Sequence, residues 1–143
     1  MIEIRALRDD ELDWAAERYR ELRFTASPPG TRGFVAELEG VRVGLGRLIE
    51  HAPGVVELGG VWTAETARNR GVARAMVTAL LQQAPPVRLW CIPFAHLAAF
   101  YETFGFEVAR PPWPAPIAAK IASLVEQHLP SVVVLVREPP RRR

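Results

Sequence analysis

The stretch VVELGGVWTAETARNRGVARAMVTALL, residues 55–81, decides how this 143-residue chain is interpreted. Its first nine residues are mostly apolar or β-branched, which predicts a strand with a glycine pair, Gly59-Gly60, in its interior. Arg68, Arg70 and Gly71 then stand directly before a segment with helical periodicity. The apolar stripe of that helix consists of Ala73, Met76, Val77, Leu80 and Leu81.

The basic turn between strand and helix predicts an anion site. The first turn of a helix leaves backbone N–H groups without partners and carries partial positive charge, so phosphate binds well there. Gly71 gives a ligand access to the backbone because it has no Cβ, and Arg68 and Arg70 can add charge-assisted hydrogen bonds. RNRGVA, residues 68–73, therefore predicts a pyrophosphate cradle. The alternative is an ordinary strand-to-helix turn with solvated arginines.

The rest of the chain predicts one α+β domain over residues 1–143, built around a mixed, mostly antiparallel sheet. The element order is β-α-β-β-β-α-β-α-β-α-β, with a turn at Glu39-Gly40, a stop at Gly105 and Asp9 as the cap of the first helix. Strands are predicted at 2–7, in two halves of 33–51, and at 55–63, 85–92, 106–110 and 131–138. Helices are predicted at 9–22, at about 72–81, and at 94–106 and 115–128.

Composition excludes several classes of protein. Hydrophobic residues make up 49% of the chain, which supplies a packed core, and the net charge of +2 is too small to favour a nucleic-acid partner. A single cysteine, Cys91, excludes an intrachain disulfide and fits a reducing compartment. No apolar run is long enough for a membrane span or a signal peptide. We therefore expect a soluble cytoplasmic protein without a membrane partner, with a frayed tail at Arg141-Arg142-Arg143.

These residues carry a resemblance to a known family. RNRGVA at 68–73 resembles the R/Q-x-x-G-x-G/A motif of the GNAT superfamily of N-acetyltransferases, and 55–81 resembles that family's fourth strand and third helix. AAFYETFGFEVA, residues 98–109, resembles its later tyrosine-bearing helix and the strand that follows. The order of elements matches from Ile2 to about Arg110, whereas a helix at 115–128 is less typical of the family.

The resemblance implies acetyl-CoA as the cosubstrate, with no metal. It places the pyrophosphate on the backbone of Arg68, Asn69, Arg70, Gly71, Val72 and Ala73. It also implies a pantetheine arm beside the strand end Val61-Trp62-Thr63, and a gap between the fourth and fifth strands that a bulge at the glycine pair would create. The N–H of Val61 or Trp62 would then polarise the thioester carbonyl.

Two side chains are candidates for the chemistry. Transfer to an amine needs the neutral amine, so a base is useful, and Glu57 stands where some members of the family carry a catalytic glutamate. Its alternative is a carboxylate paired with a nearby arginine. Tyr101 stands where the family's general acid usually stands and would protonate the departing thiolate; its alternative is a core tyrosine with a satisfied hydroxyl. One departure is Phe94, seven residues before Tyr101, where many members have asparagine.

Other polar and aromatic residues carry weaker expectations. His96 is more typical of a solvated helix start than of a cleft residue, His51 receives no role, and Cys91 is interpreted as a small buried hydrophobe. Trp62 and Trp90 either wall the acceptor pocket or pack in the core. The loop FTASPPGT, residues 24–31, stands where family members shape the acceptor site.

The resulting hypothesis is an N-acetyltransferase that moves an acetyl group from acetyl-CoA to a primary amine by direct attack. The acceptor would be a small-molecule or peptide amine, which the sequence does not identify. A homodimer stays open. The alternative, from a different class, is a non-catalytic module that binds acyl-CoA for regulation; the presence of both Tyr101 and Glu57 favours the enzyme.

Overall fold

The structure is a computed structural model that describes residues 1–128 and 131–141; Arg142 and Arg143 of the predicted frayed tail lie outside these residues. The predicted order of strands and helices is confirmed. In chain order the elements are β1 (Ile2–Ala6), α1 (Leu12–Glu21), β2 (Thr31–Leu38), β3 (Val41–Ala52), β4 (Val55–Thr63), α2 (Val72–Gln83), β5 (Leu89–Cys91), α3 (Ala98–Glu102), β6 (Glu107–Val108), α4 (Ala115–Glu126) and β7 (Leu135–Arg137).

The strands form one seven-stranded mixed sheet in the order β1-β2-β3-β4-β5-β7-β6. β4 and β5 are parallel, and their pairing consists of Val56 opposite Leu89 and Glu57 opposite Trp90. The pairs β1–β2, β2–β3, β5–β7 and β6–β7 are antiparallel. β4 continues to Thr63, six residues beyond its last pair with β5. The predicted fold class is therefore confirmed.

Several boundaries differ from the sequence-based expectation. β5 begins at Leu89 rather than at residue 85, because Pro85 has no N–H to contribute to a ladder. The helix expected over 94–106 begins as a 3-10 turn, Ala95–Leu97, before α3, and it stops at Gly105 (φ +92°) as expected. Asp9 is not the cap of the first helix. A 3-10 turn, Asp9–Glu11, precedes α1; Arg8 is the N-cap of that turn, and Glu11 is the N-cap of α1.

The described chain divides into two compact units, and the first comprises Met1–Ile49 with Leu58–Ala84. Helix α2 lies close to β3 because two strand positions have no side chain. A Cβ at Gly44 would approach Val72 to 2.8 Å, and one at Gly46 would approach Met76 to 2.6 Å. The core of this unit includes Ala15, Tyr19, Val35 and Leu45, with Leu7, Trp14, Phe24 and Trp62 packed against them.

The second unit comprises Glu50–Glu57 with Pro85–Arg143. Its core includes Trp90, Ile117 and Val134, and partly buried residues of α4 and β7 pack against them. Of the two interpretations of Trp90, core packing is the one that the structure supports. The indole N–H of Trp113 donates to the Ala109 carbonyl at 3.0 Å and so ties the segment before α4 to the end of β6.

A buried carboxylate joins β1 to the start of α1. Glu11 is 2% exposed and accepts hydrogen bonds from Arg5 Nη1 at 2.7 Å, from Arg5 Nη2 at 3.0 Å and from the Arg8 backbone N–H at 3.0 Å. Arg42 Nη1 lies 3.4 Å from the same carboxylate. The hydrogen bond from Arg5 lowers the pKa of Glu11 to about 2, although burial opposes this. Glu11 therefore supplies the capping acceptor that Asp9 was expected to supply.

The Glu11→Gln variant tests this network. A carboxyl whose pKa is depressed in the folded state stabilises the fold above its unfolded value of 4.5, and that contribution is lost as the pH falls toward about 2. We expect Glu11→Gln to lower the free energy of unfolding at pH 7 by about 1.5–3 kcal/mol, the range for hydrogen bonds to charged groups. The variant should also lose less stability than the parent between pH 4.5 and pH 2, measured by urea unfolding.

The matched control is Glu3→Gln, which removes an exposed carboxylate from β1, the strand that also carries Arg5. It should leave both the stability at pH 7 and the acid dependence close to those of the parent. Glu11→Gln with the parent's stability at every pH would contradict the assigned role.

Candidate active site

The turn at 68–73 has the geometry of an anion cradle. Gly71 is the N-cap of α2 in the left-handed region (φ +82°, ψ +14°), and the Ala75 N–H donates to its carbonyl at 3.0 Å. Within the described residues, the backbone N–H groups from Asn69 to Ala73 have no hydrogen-bond acceptor. Arg68 and Arg70 are exposed, and neither forms an ion pair in the described part of the chain. These open donors and free cations fit a diphosphate.

Glycine is favoured at position 71 by its positive φ, which most L-residues rarely adopt. A Cβ added there would meet no atom of the described residues within 4 Å, so the space in front of the cap is open to a ligand. Asn69 also has a positive φ, +64°, a conformation that asparagine tolerates better than most residues.

The end of β4 is irregular where the glycine pair predicted a bulge. Gly60 adopts φ +60°, and its carbonyl accepts a hydrogen bond from the Tyr19 hydroxyl at 2.9 Å. A Cβ at Gly60 would lie 2.8 Å from that hydroxyl oxygen, so only glycine fits. Beyond Gly60, Val61, Trp62 and Thr63 are half-buried. The Trp62 ring packs edge-to-face on Trp14 with the centroids 6.1 Å apart.

A buried arginine anchors the loop that was expected to shape the acceptor site. Arg47 on β3 donates from Nη1 to Ser27 Oγ at 2.8 Å and from Nη2 to Thr25 Oγ1 at 3.3 Å. Its guanidinium lies over the Tyr19 ring, 4.3 Å from the centroid. The two hydrogen bonds from Arg47 therefore fix residues 25–27 to β3, and the cation–π contact with Tyr19 holds the guanidinium in place.

Glu57 lies in a buried charged cluster of the second unit. It is 3% exposed, and Lys120 Nζ donates to both of its carboxylate oxygens at 2.8 Å. His51 Nε2 lies 2.8 Å from Oε1 of the same carboxylate. The sequence suggested an arginine partner, whereas the partners are a lysine on α4 and a histidine that had received no role. One signal was available: Lys120 is the only lysine of the chain and falls on a largely apolar helix.

The electrostatics of Glu57 result from opposing effects. Burial favours the neutral acid, whereas the hydrogen bond from His51 and the positive charge of Lys120 favour the carboxylate. The partners outweigh burial, so the pKa of Glu57 is lowered and the group is ionised at neutral pH. Burial raises the pKa of the Cys91 thiol, with Glu57 adding to the effect, which keeps Cys91 neutral as expected for a small buried hydrophobe.

Tyr101 belongs to the same unit. It is 5% exposed, and its ring contacts Phe100 and Phe106 edge-on at centroid distances of 5.0 and 6.1 Å. Burial, with a smaller contribution from Cys91, raises the pKa of the phenol, so it stays protonated across the neutral range. Within the described residues its hydroxyl has no hydrogen-bond partner. The hydroxyl oxygen is nevertheless not an unsatisfied buried atom of the described residues, so the acid role and the core role of this tyrosine both stay open.

His96, the remaining candidate, lacks charged partners like those of Glu57 within the described residues. His96 is exposed and stacks on Phe94 with the ring centroids 6.0 Å apart. No group of three or more His, Cys, Asp or Glu side chains with metal-binding geometry occurs in residues 1–128 and 131–141. Within the same residues, every helix is too short or too polar to cross a bilayer.

Comparison with protein families gives one match. Residues 1–106 match the model of the acetyltransferase (GNAT) family, which covers the cradle, Glu57 and Tyr101. Comparison with curated proteins gives no match.

Solved structures share the fold. N-acetylglutamate synthase from Neisseria gonorrhoeae, complexed with coenzyme A and L-arginine, has a TM-score of 0.74 at 15% identity over 98% of this chain, which spans about a third (34%) of that protein. The ribosomal-protein-S18-alanine N-acetyltransferase from Escherichia coli has a TM-score of 0.71 at 17% identity, over 100% of this chain and 97% of that one. A GNAT acetyltransferase from Elizabethkingia anophelis with acetyl-CoA bound has a TM-score of 0.65 at 14% identity, over 96% and 97%.

The cradle predicts how substitutions at Gly71 affect binding of CoA. Gly71→Asp places a negative charge before the open amides, and we expect the affinity for CoA to fall at least about tenfold, or about 1.4 kcal/mol. Gly71→Asn is the matched control, because asparagine has nearly the same shape and tolerates the left-handed backbone without adding charge. Calorimetric titration of CoA into the folded variants measures the difference. Equal affinities for the Asp and Asn variants would contradict a phosphate site at this turn.

Proposed function

The chain belongs to the acetyltransferase (GNAT) family, and from that premise we propose that it transfers an acetyl group from acetyl-CoA to a primary amine by direct attack. Membership in the family indicates an acyl-CoA-dependent transferase. The amine is the finer part of the proposal. It is supported by two structures of similar fold that are named for N-acetylation, one of alanine on a ribosomal protein and one that forms N-acetylglutamate.

The observation that carries the proposal is the row of backbone N–H groups from Asn69 to Ala73, which have no acceptor among the described residues, beside the exposed Arg68 and Arg70. Acetyl-CoA supplies an activated acetyl group on a carrier that holds a diphosphate, and this turn would bind that diphosphate. Val61, Trp62 and Thr63 would hold the pantetheine arm along the end of β4. The backbone N–H of Val61 or Trp62 would donate to the carbonyl oxygen as negative charge develops on it.

Proton transfers are assigned to the second unit. A lysine-type amine has a pKa of about 10.4 and must lose a proton before it can attack. Glu57 supplies the base function, either directly or through a group that it contacts. Tyr101 donates its proton to the leaving sulfur. Burial raises the pKa of this phenol, so its proton is present across the neutral range.

A second function remains as the alternative: a regulatory module that binds acyl-CoA without turnover. The same cradle would serve both functions, so binding alone does not separate them. The presence of both Tyr101 and Glu57 favours the enzyme, because a module that only binds acyl-CoA needs neither an acid nor a base.

The test of the proposal is CoA release with a panel of amines that includes amino acids, polyamines, aminoglycosides and peptides with free N-termini. We expect at least one amine to release CoA faster than water does, with acetylated product detected by mass spectrometry. Tight binding of acetyl-CoA without release to any amine would instead support the regulatory module.

The acid role of Tyr101 predicts a specific kinetic defect. Tyr101→Phe removes the hydroxyl and keeps the ring's packing, so the melting temperature and the affinity for acetyl-CoA should change little. Turnover should fall by about a hundredfold, as is typical of positioned acid–base groups, because the loss belongs to the transition state. Phe100→Leu is the control for general disturbance of α3. Turnover equal to the parent's by Tyr101→Phe at every pH would remove the acid assignment.

A further inference from the structure

The cluster of His51, Glu57 and Lys120 bears on which side chain accepts the proton of the amine. We propose that the imidazole of His51, through Nδ1, accepts the proton of the acceptor amine, and that Glu57 and Lys120 are positioning residues for that imidazole. This inference rests on the proposed function, because it concerns the base of the same reaction. It assigns a role to a residue for which the sequence suggested none.

The carboxylate of Glu57 is already engaged. Oε1 accepts from both Lys120 Nζ and His51 Nε2, and Oε2 accepts from Lys120 Nζ, all at 2.8 Å. The side chain is almost fully enclosed. A proton that arrived at Glu57 directly would have to displace one of these charge-assisted hydrogen bonds in a buried site, which is costly. Glu57 is therefore better suited to orient a base than to act as one.

The same contacts determine which nitrogen of His51 is free. An ionised carboxylate can only accept hydrogen bonds, so Nε2 must carry the hydrogen that it shares with Glu57. In the neutral imidazole the lone pair then resides on Nδ1. Nδ1 has no hydrogen-bond partner among the described residues, and the side chain is 15% exposed, so solvent reaches one edge of the ring. His51 thus presents the one unengaged basic atom of the cluster within the described part of the chain.

Charged and titratable groups from several elements surround the imidazole of His51. Glu57 on β4 places a carboxylate against Nε2, and Lys120 on α4 contributes the positive charge that helps to keep Glu57 ionised. Cys91 on β5 is a buried neutral thiol whose pKa is affected by Glu57 and Lys120, and Cys91 in turn contributes to the raised pKa of Tyr101 on α3. The ammonium of Lys120 is a compact point charge, so it can donate to both carboxylate oxygens of Glu57 at once.

The protons balance over one cycle. The alkylammonium N–H bond breaks, its proton passes to Nδ1 of His51, and the freed lone pair attacks the acetyl carbon. Tyr101 gives its proton to the departing sulfur and recovers one from the acetylated nitrogen through solvent. His51 releases its proton to solvent. The products are the amide, CoA thiol and one proton.

The test is a pH–rate profile of His51→Gln with the amine that the panel identifies. The glutamine amide can still donate to Glu57 but has no basic nitrogen. We expect kcat/KM to fall by about a hundredfold at and below pH 7. The loss should shrink as the pH approaches the pKa of the amine, because solvent then deprotonates it. The melting temperature and the affinity for acetyl-CoA should stay at the parent's values.

His128→Asn is the matched control. His128 is an exposed histidine after α4 with φ +53°, a backbone conformation that asparagine tolerates, so its profile should match that of the parent. A profile of His51→Gln that equals the parent's, or a loss that is uniform with pH, would overturn the inference. A parent that releases no CoA with any amine would contradict the proposed function itself.

Two further measurements keep the inference testable. Nitrogen-15 NMR of histidine-labelled protein reports the tautomer without any acceptor, and a His51 ring with its hydrogen on Nδ1 would overturn the inference. Glu57→Leu combined with Lys120→Met removes both buried charges together with the acceptor of His51 Nε2, so no unpaired ion remains. This double variant should fold and show the same pH-dependent loss as His51→Gln; full activity at pH 7 would overturn the positioning role.

Discussion

The ion pair between Glu57 and Lys120 is the constraint on which the candidate site depends. Glu57 is the last residue of β4 that pairs with β5, and its side chain is buried. A carboxylate there would be strongly destabilising without a cation, and breaking such a pair typically costs about 3–5 kcal/mol. Helix α4 supplies that cation from the only lysine of the chain. Helix α4 therefore compensates the buried charge of Glu57.

In the proposed function, binding and chemistry rest on different kinds of groups. The cradle at 68–73 would consist mainly of backbone N–H groups, which have no acceptor among the described residues at the start of α2. Such a site depends on local conformation and tolerates many side chains. The proton-transfer groups are side chains whose properties depend on burial and on partners from several elements. This division follows from the chemistry: a diphosphate needs fixed donors, whereas proton transfer needs tuned acidity.

Buried polar groups recur in both units, and each has a specific partner. Glu11 is held by Arg5, Glu57 by Lys120, and Tyr19 by the carbonyl of Gly60. Tyr101 is also buried as a residue, but its hydroxyl oxygen is not an unsatisfied buried atom in the described part of the chain. Its proposed acid role therefore rests on its place in the motif and on its protonated state, not on a missing partner.

The sequence by itself determined the order of the elements, the turn at Gly71 and the fold class, because periodicity and turn residues are local signals. It also singled out Glu57 and Tyr101, although nothing in a local pattern states what a buried side chain contacts. Only the tertiary structure decided that Lys120, sixty-three residues away, neutralises Glu57, and that His51 is turned with Nε2 toward it. It also decided that Glu11 rather than Asp9 caps the first turn. The physical reason is that hydrophobic spacing reports which face of an element is buried, whereas the partner of a buried charge depends on how distant elements pack.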